Sequence, residues 1–162
     1  MMHTRHIPTR KRERGFTVLF AALIASLVLT LGASIFSIAQ KQVILSSLGR
    51  NSQYAFYAAD TGAECALYWD VRFQRFPTTT IYTSPVQVAC NGADINANVV
   101  DEGAGVMTSD FSFEINGYCS QVSVRKAPTD PTTVIHADGF STTCADIATA
   151  GRTLQRSVEL SY

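Results

Sequence analysis

A chain of 162 residues has room for one domain. Its 13 Lys+Arg balance 13 Asp+Glu, but the balance is uneven: residues 1–15 hold Arg5, Arg10, Lys11, Arg12 and Arg14 against Glu13 alone. From Phe16 onward, eight basic residues face twelve acidic ones, so a basic tag precedes a mildly acidic protein whose charge argues against nucleic-acid binding.

After the tag, Phe16 to Gln40 contains no charged residue. At about 1.5 Å per residue, the 24 residues 16–39 span about 36 Å as a helix, against a hydrocarbon core of roughly 30 Å. Ser26, Thr30, Ser34 and Ser37 can bond to carbonyls one turn earlier, so they do not forbid the membrane. The run is too long and too uniformly apolar for a core helix. Positive charge lies before it, which puts the N-terminus in the cytoplasm and the remainder outside. All four cysteines, Cys65, Cys90, Cys119 and Cys144, fall on that outer side, and an even count in an oxidising compartment favours two disulfides. There is no CxxC pair and no nearby His, so a zinc site is not expected.

A secretory signal would have a short apolar region followed by small residues at a cleavage site; here the apparent boundary precedes the apolar run. Lys11-Arg12-Glu13-Arg14-Gly15-Phe16-Thr17-Val18-Leu19 reads as basic stretch, glycine, phenylalanine, apolar helix. This segment resembles the processing site of type IV prepilins and pseudopilins. In that family a membrane aspartyl peptidase cuts after the glycine and methylates the new N-terminus, usually a Phe. The resemblance implies cleavage between Gly15 and Phe16, N-methylation at Phe16, and a mature chain of 147 residues. A residue without a side chain at the cut suits close approach of a protease to the backbone.

No proline interrupts the chain from Gln40 to Phe76, and Pro77 supplies a stop. Ile44, Leu48, Ala55, Ala59, Gly62, Ala66, Trp69 and Phe73 recur at spacings mostly of three or four, a helical face half built from residues small enough to let a sheet lie close. The expected helix, 16–76, is roughly 85 Å long, more than an ordinary soluble domain of this size needs. Within it, Ala55-Phe56-Tyr57-Ala58-Ala59-Asp60-Thr61-Gly62 is similar to the AF-x-AA-[ED]-x-G signature of PilX-type minor pilins. The resemblance covers roughly the first 70 residues and implies a leader at 1–15, a helix at 16–76 and a head at 77–162. Segment 16–39 would lie in the membrane or filament core, and segment 40–76 would support the head.

Most pilins carry a glutamate as the fifth mature residue, where this chain has Phe20. In the family that carboxylate is thought to pair with the N-terminal amine of the subunit above. A carboxylate in hydrocarbon costs about 2.5–3.5 kcal/mol on insertion scales, which its partner offsets. A subunit at the tip has no neighbour above it, so the missing glutamate suggests a tip or priming subunit; the alternative is a lineage that dispenses with the pair.

Beyond Pro77 the period becomes two. Phe111, Phe113 and Ile115 alternate with polar residues, then Asn116-Gly117 leads into Tyr118–Val124, a hairpin signal. A second hairpin is expected from Val86–Cys90 and Asp94–Val100 around Asn91-Gly92. Arg152–Tyr162 puts Leu154, Val158, Leu160 and Tyr162 on one face of a half-buried strand laid across the helix. The expected fold class is therefore α+β, pilin-like, one long helix packed against a small antiparallel sheet. With about 85 residues outside the helix, the head gains from cross-links. Of three possible pairings, Cys65–Cys90 and Cys119–Cys144 are favoured, each contributing about 2–4 kcal/mol.

No residues form a catalytic constellation. His3 and His6 lie in the leader, and His136 alone in a predicted strand reads as structural. Asp94, Asn96, Asn98, Asp101 and Glu102 are oxygen-rich but lack the ligand order of a calcium loop, and read as a solvated loop. Trp69, Tyr54 and Tyr57 read as packing aromatics, Thr78-Thr79-Thr80 as a connecting segment, and Arg125-Lys126 as the only clustered cations after Arg14. No cofactor is expected. The expected function is that of a minor type IV pilin, assembling through Phe16, Phe20, Ala21, Ala22, Ala25, Ser26 and Gly32 of the anchor helix. Its implied partners are the prepilin peptidase, other pilin subunits, the inner-membrane assembly platform and the cytoplasmic membrane, with no direct nucleic-acid binding. The alternatives are a pseudopilin of a type II secretion or DNA-uptake machine and, from another class, an uncleaved signal-anchored binding protein.

Overall fold

The computed structural model describes residues 15–79 and 85–162. Leader residues 1–14, with His3 and His6, lie outside the described residues, as does Thr80. The chain divides into two units, the first ending at Leu45 and the second running from Ser46 to Tyr162.

One helix, α1, covers Gly15–Phe73, 59 residues. It ends three residues before the expected Phe76, and not at Pro77. Gln74 turns into the left-handed region (φ 48°), its N–H bonded to Asp70 O at 2.9 Å, while the N–H of Arg75 reaches Trp69 O at 3.3 Å. A single left-handed residue is a common helix terminator, and the proline four residues after α1's last residue cannot continue a helix that has already turned.

The second unit contains an antiparallel meander of six strands in sequential order: β1 Val86–Cys90, β2 Ala93–Gly103, β3 Val106–Ile115, β4 Tyr118–Lys126, β5 Thr133–Phe140 and β6 Gln155–Ser161. Both Asn-Gly pairs form hairpin turns with two positive φ angles each, 52° and 76° at Asn91-Gly92 and 52° and 84° at Asn116-Gly117. These angles suit asparagine and glycine and set the registers Cys90↔Ala93 and Ile115↔Tyr118. The fold is α+β, with one face of the sheet against α1.

Alternation then decides which side chains are buried. Val86, Val88, Phe111, Phe113, Val122, Val124, Ile135 and Ala137 point inward and form one core with Phe76. Phe76 stacks on Phe111 at 6.0 Å, and Phe111 on Phe113 at 6.3 Å. The helix meets this core with small residues: Ala55, Ala58, Ala59, Gly62, Ala63 and Ala66 are all buried. On the sheet side the matching positions are Gly139 and Ser120. A Cβ at Gly139 would lie 3.0 Å from Ala55 C and nearer still to Ala55 O and Ala59 N. Such a close backbone approach is possible only because both surfaces lack side chains there.

Ala55, Ala59, Gly62 and Ala66 therefore lie on the buried face as the spacing predicted, while Ile44, Leu48 and Phe73 do not. The buried stretch of the helix begins at Ala55 and ends at Asp70, and Ile44, Leu48 and Phe73 lie beyond its ends and are exposed. The C-terminal strand pairs with β5 and places Val158 and Leu160 on the inner side, both half-buried. Arg156 Nε donates to Ser52 Oγ at 2.8 Å, and the Tyr162 hydroxyl bonds to Asp70, so β6 lies alongside α1.

Candidate functional site

Every residue of α1 from Phe16 to Arg50 is exposed, including Phe16 at 73% and Leu29 at 72%. This segment is long and apolar enough to cross a membrane. Three of its hydroxyls bond back into the helix: Ser26 Oγ donates to Leu23 O at 2.8 Å, Thr30 Oγ1 to Leu27 O at 2.9 Å and Ser34 Oγ to Thr30 O at 2.9 Å. Such bonds lower the cost of placing a helix and its hydroxyls in hydrocarbon.

The expected assembly residues take definite positions on this segment. Gly15 is the first residue of α1 and Phe16 the second. The Phe16 and Phe20 rings stack at 6.3 Å. At about 100° per residue, Ala21, Ala25 and Gly32 fall within about 40° of one another, next to Ala22 and Ser26. Nothing lies within 4 Å of a Cβ built at Gly32. Phe16, Phe20, Leu23, Leu27 and Leu31, all exposed, lie on the opposite side of the helix from Ala21, Ala25 and Gly32.

In the second unit the structure joins Cys65 to Cys90 and Cys119 to Cys144. The first bond ties α1 to the end of β1, where Trp69 Nε1 also donates to Ala89 O at 3.0 Å. The second ties β4 to the short 3-10 turn Cys144–Asp146. Tyr54 stacks on Tyr118 at 4.7 Å, whereas Tyr57 is exposed. Asp94, Asn96, Asn98, Asp101 and Glu102 lie along β2 and not in a loop, and Glu102 is engaged by Thr108 at 2.6 Å and Arg125 at 3.7 Å. Among the described residues no three His, Cys, Asp or Glu side chains come together as a metal-ligand set.

Two polar clusters emerge that the sequence reading did not bring together. Lys126, buried, donates to Asp70 and, at 2.8 Å, to Thr133 Oγ1, while the Tyr162 hydroxyl donates to the same Asp70 oxygen at 2.6 Å. Burial, then the hydrogen bond and charge of Asp70, push the Tyr162 hydroxyl well above the ordinary tyrosine range. The signal for this cluster was Asp70 itself, a carboxylate four residues after Ala66 on an otherwise small and apolar face. The Arg125-Lys126 pair is split, with Arg125 outward toward Glu102 and Lys126 inward toward Asp70, so it forms no basic patch.

The second cluster is on the outer face of the sheet. His136 lies 3.3 Å from Asp138 Oδ1 through Nε2 and 3.3 Å from Glu159 Oε2 through Nδ1. Burial raises the Asp138 carboxyl, but hydrogen bonds from Ser157 and Gln155 and the His136 charge outweigh it, leaving the group below the usual carboxylate range. A shallow depression of about 480 Å³ beside it is lined by Asp110, Ser112, Gln121, Ser123, His136 and Asp138, among others.

No family model matches the chain, and no curated protein or solved structure matches it.

Proposed function

We propose that this protein is a minor type IV pilin. Residues 1–15 act as the leader, the peptidase cuts between Gly15 and Phe16 and methylates Phe16, and residues 16–39 hold the subunit in the cytoplasmic membrane, N-terminus inside, until assembly extracts it. The single observation that carries this reading is α1. A fully exposed apolar segment continues, within one 59-residue helix, into a segment whose small residues carry a sheet. A simple membrane anchor has no need of that continuity, while a subunit that packs its helix among neighbours and displays a head uses both parts. The basic stretch, Gly15-Phe16 and the Ala55–Gly62 signature support the same reading.

The mechanism proposed is assembly and not catalysis. The side of the helix bearing Ala21, Ala22, Ala25, Ser26 and Gly32 allows close approach of neighbouring helices, and the assembly platform moves subunits between membrane and filament. Phe20 leaves the segment uncharged, which favours a tip or priming position. The head would serve adhesion, motility or uptake from the cell surface.

The deciding experiment is the intact mass of the protein from membranes, with and without an active prepilin peptidase. The expected product begins at Phe16, carries one added methyl, and is lost in Gly15→Val. A full-length chain under both conditions would overturn the proposal and leave a signal-anchored binding protein.

A further inference from the structure

The sheet has two edge strands, and they are treated differently. On β1, Cys90 and Ala93 flank a two-residue turn, so the backbone groups of Ala89 point away from β2. The Ala89 carbonyl is capped by the Trp69 indole, and the Cys65–Cys90 bond fastens the strand end to the helix. Among the described residues strand β6 has no such cover. Thr133 and Tyr162 exchange both backbone hydrogen bonds, at 2.9 and 3.0 Å, which fixes the phase of the ladder. Leu160, Val158 and Arg156 then aim their backbone groups at β5, and Ser161, Glu159, Ser157 and Gln155 aim theirs outward. Among the described residues no hydrogen bond occupies those four outward pairs. The strand also lacks proline and its register carries no bulge, two of the protections an exposed edge can have; its charges are Arg156, turned to Ser52, and Glu159.

The surroundings of this edge specify what it accepts. On the inner side, Ser52 and Asp70 hold β6 beside α1, and Phe56 and Leu67 occupy the same helical face one turn away from them. Phe56 is 47% exposed and Leu67 half-buried. On the outer side, Asp138 and Glu159 flank His136. We propose that the β6 edge is a strand-addition site for an extended segment of another protein, one in which apolar residues alternate with Lys or Arg. The backbone of the segment completes the outward pairs, its apolar set lies over Phe56 and Leu67, and its cations lie beside Asp138 and Glu159. A second copy of β6 fits poorly, because self-pairing gathers two Glu159 and two Asp138 carboxylates on one face.

The test uses the whole chain in detergent micelles and three nine-residue synthetic peptides: alternating valine and lysine, alternating valine and glutamate, and the lysine peptide N-methylated at its lysines, whose amides face β6 because they lie opposite Glu159 and its outward neighbours. The valine–lysine peptide is expected to slow amide exchange at Ser157, Glu159 and Ser161 at least tenfold and to bind at least tenfold tighter than the others. Glu159→Lys is expected to abolish its advantage over the glutamate peptide while leaving the fold intact. Equal binding of the N-methylated peptide, or protection confined to other strands, would overturn the proposal. So would prior protection of these amides in a self-associated protein, which would assign the edge to a second copy.

Discussion

Replacing Gly139 by alanine places a methyl group where α1 and β5 approach closely. The new carbon would sit 3.0 Å from Ala55 C and closer to Ala55 O and Ala59 N, all of them backbone atoms of the helix. No rotamer change relieves that overlap, so helix and sheet must separate along the Ala55–Ala66 contact. Overpacking in a well-filled core costs about 1–3 kcal/mol. The restricted unfolded chain of an alanine variant returns about 0.4–1 kcal/mol. Because the clash is with rigid main chain, a net loss at the upper end of that balance, about 2–2.6 kcal/mol, is expected, roughly 10 °C in the thermal midpoint for a unit of this size. Gly62→Ala should cost less, since its nearest neighbours are the tips of Ser120 and Val122, the latter at 2.9 Å, and alanine gains helix propensity of about 1 kcal/mol. Ser120→Ala should recover part of that cost by removing the nearest atom, a buried hydroxyl without a hydrogen-bond partner. The assay is thermal unfolding in detergent micelles followed by the fluorescence of Trp69, the only tryptophan, which is bonded to β1. Gly151→Ala, with open space around it, serves as the neutral control. A Gly139→Ala protein unfolding with the wild type would refute the close approach.

Lys126→Met should lose about 3–5 kcal/mol by stranding the buried Asp70, and adding Asp70→Leu should restore most of it; denaturant titration of the single and double variants reads both. Tyr162 keeps its proton in the fold above about pH 10, where an unfolded tyrosine ionises, so this group's contribution is full below that pH and declines as pH rises; Tyr162→Phe should lack that decline in alkaline melts. Asp138 has the opposite sign: its contribution holds above about pH 4 and is lost as pH falls further, so the stability gap to Asp138→Asn should narrow in acid. Removing the Cys65–Cys90 bond by paired serine substitutions, which opens a separation of 25 residues, should cost about 3.5 kcal/mol by loop entropy, measured by guanidinium unfolding.

The parts of the fold that were legible in the sequence are those with local causes. Asn91-Gly92 and Asn116-Gly117 announced their turns because few other residue pairs accept two positive φ angles in succession. The turn between β2 and β3 went unread: its Gly103-Ala104-Gly105 has three positive φ angles, but alanine in the middle gives no asparagine-like signal. The helix end was misplaced because Gln74 adopts a left-handed conformation that its identity does not advertise. Ile44, Leu48 and Phe73 continued the apolar period past the buried face, whose ends tertiary packing determines. The Asp70–Lys126–Thr133–Tyr162 cluster joins residues up to 92 positions apart, and no local pattern encodes such a meeting. In the candidate assembly segment, by contrast, the uninterrupted lack of charge was visible residue by residue.

The two disulfides join the first cysteine to the second and the third to the fourth, without nesting or crossing. In the proposed orientation, with the N-terminus inside and the head exported in sequence order, Cys65 and Cys90 emerge before either of the others, and an oxidase acting on whatever thiols are present makes the correct bond at each stage. The connectivity therefore removes the need for later shuffling: yield should collapse when the thiol oxidase is deleted and stay level when the disulfide isomerase is.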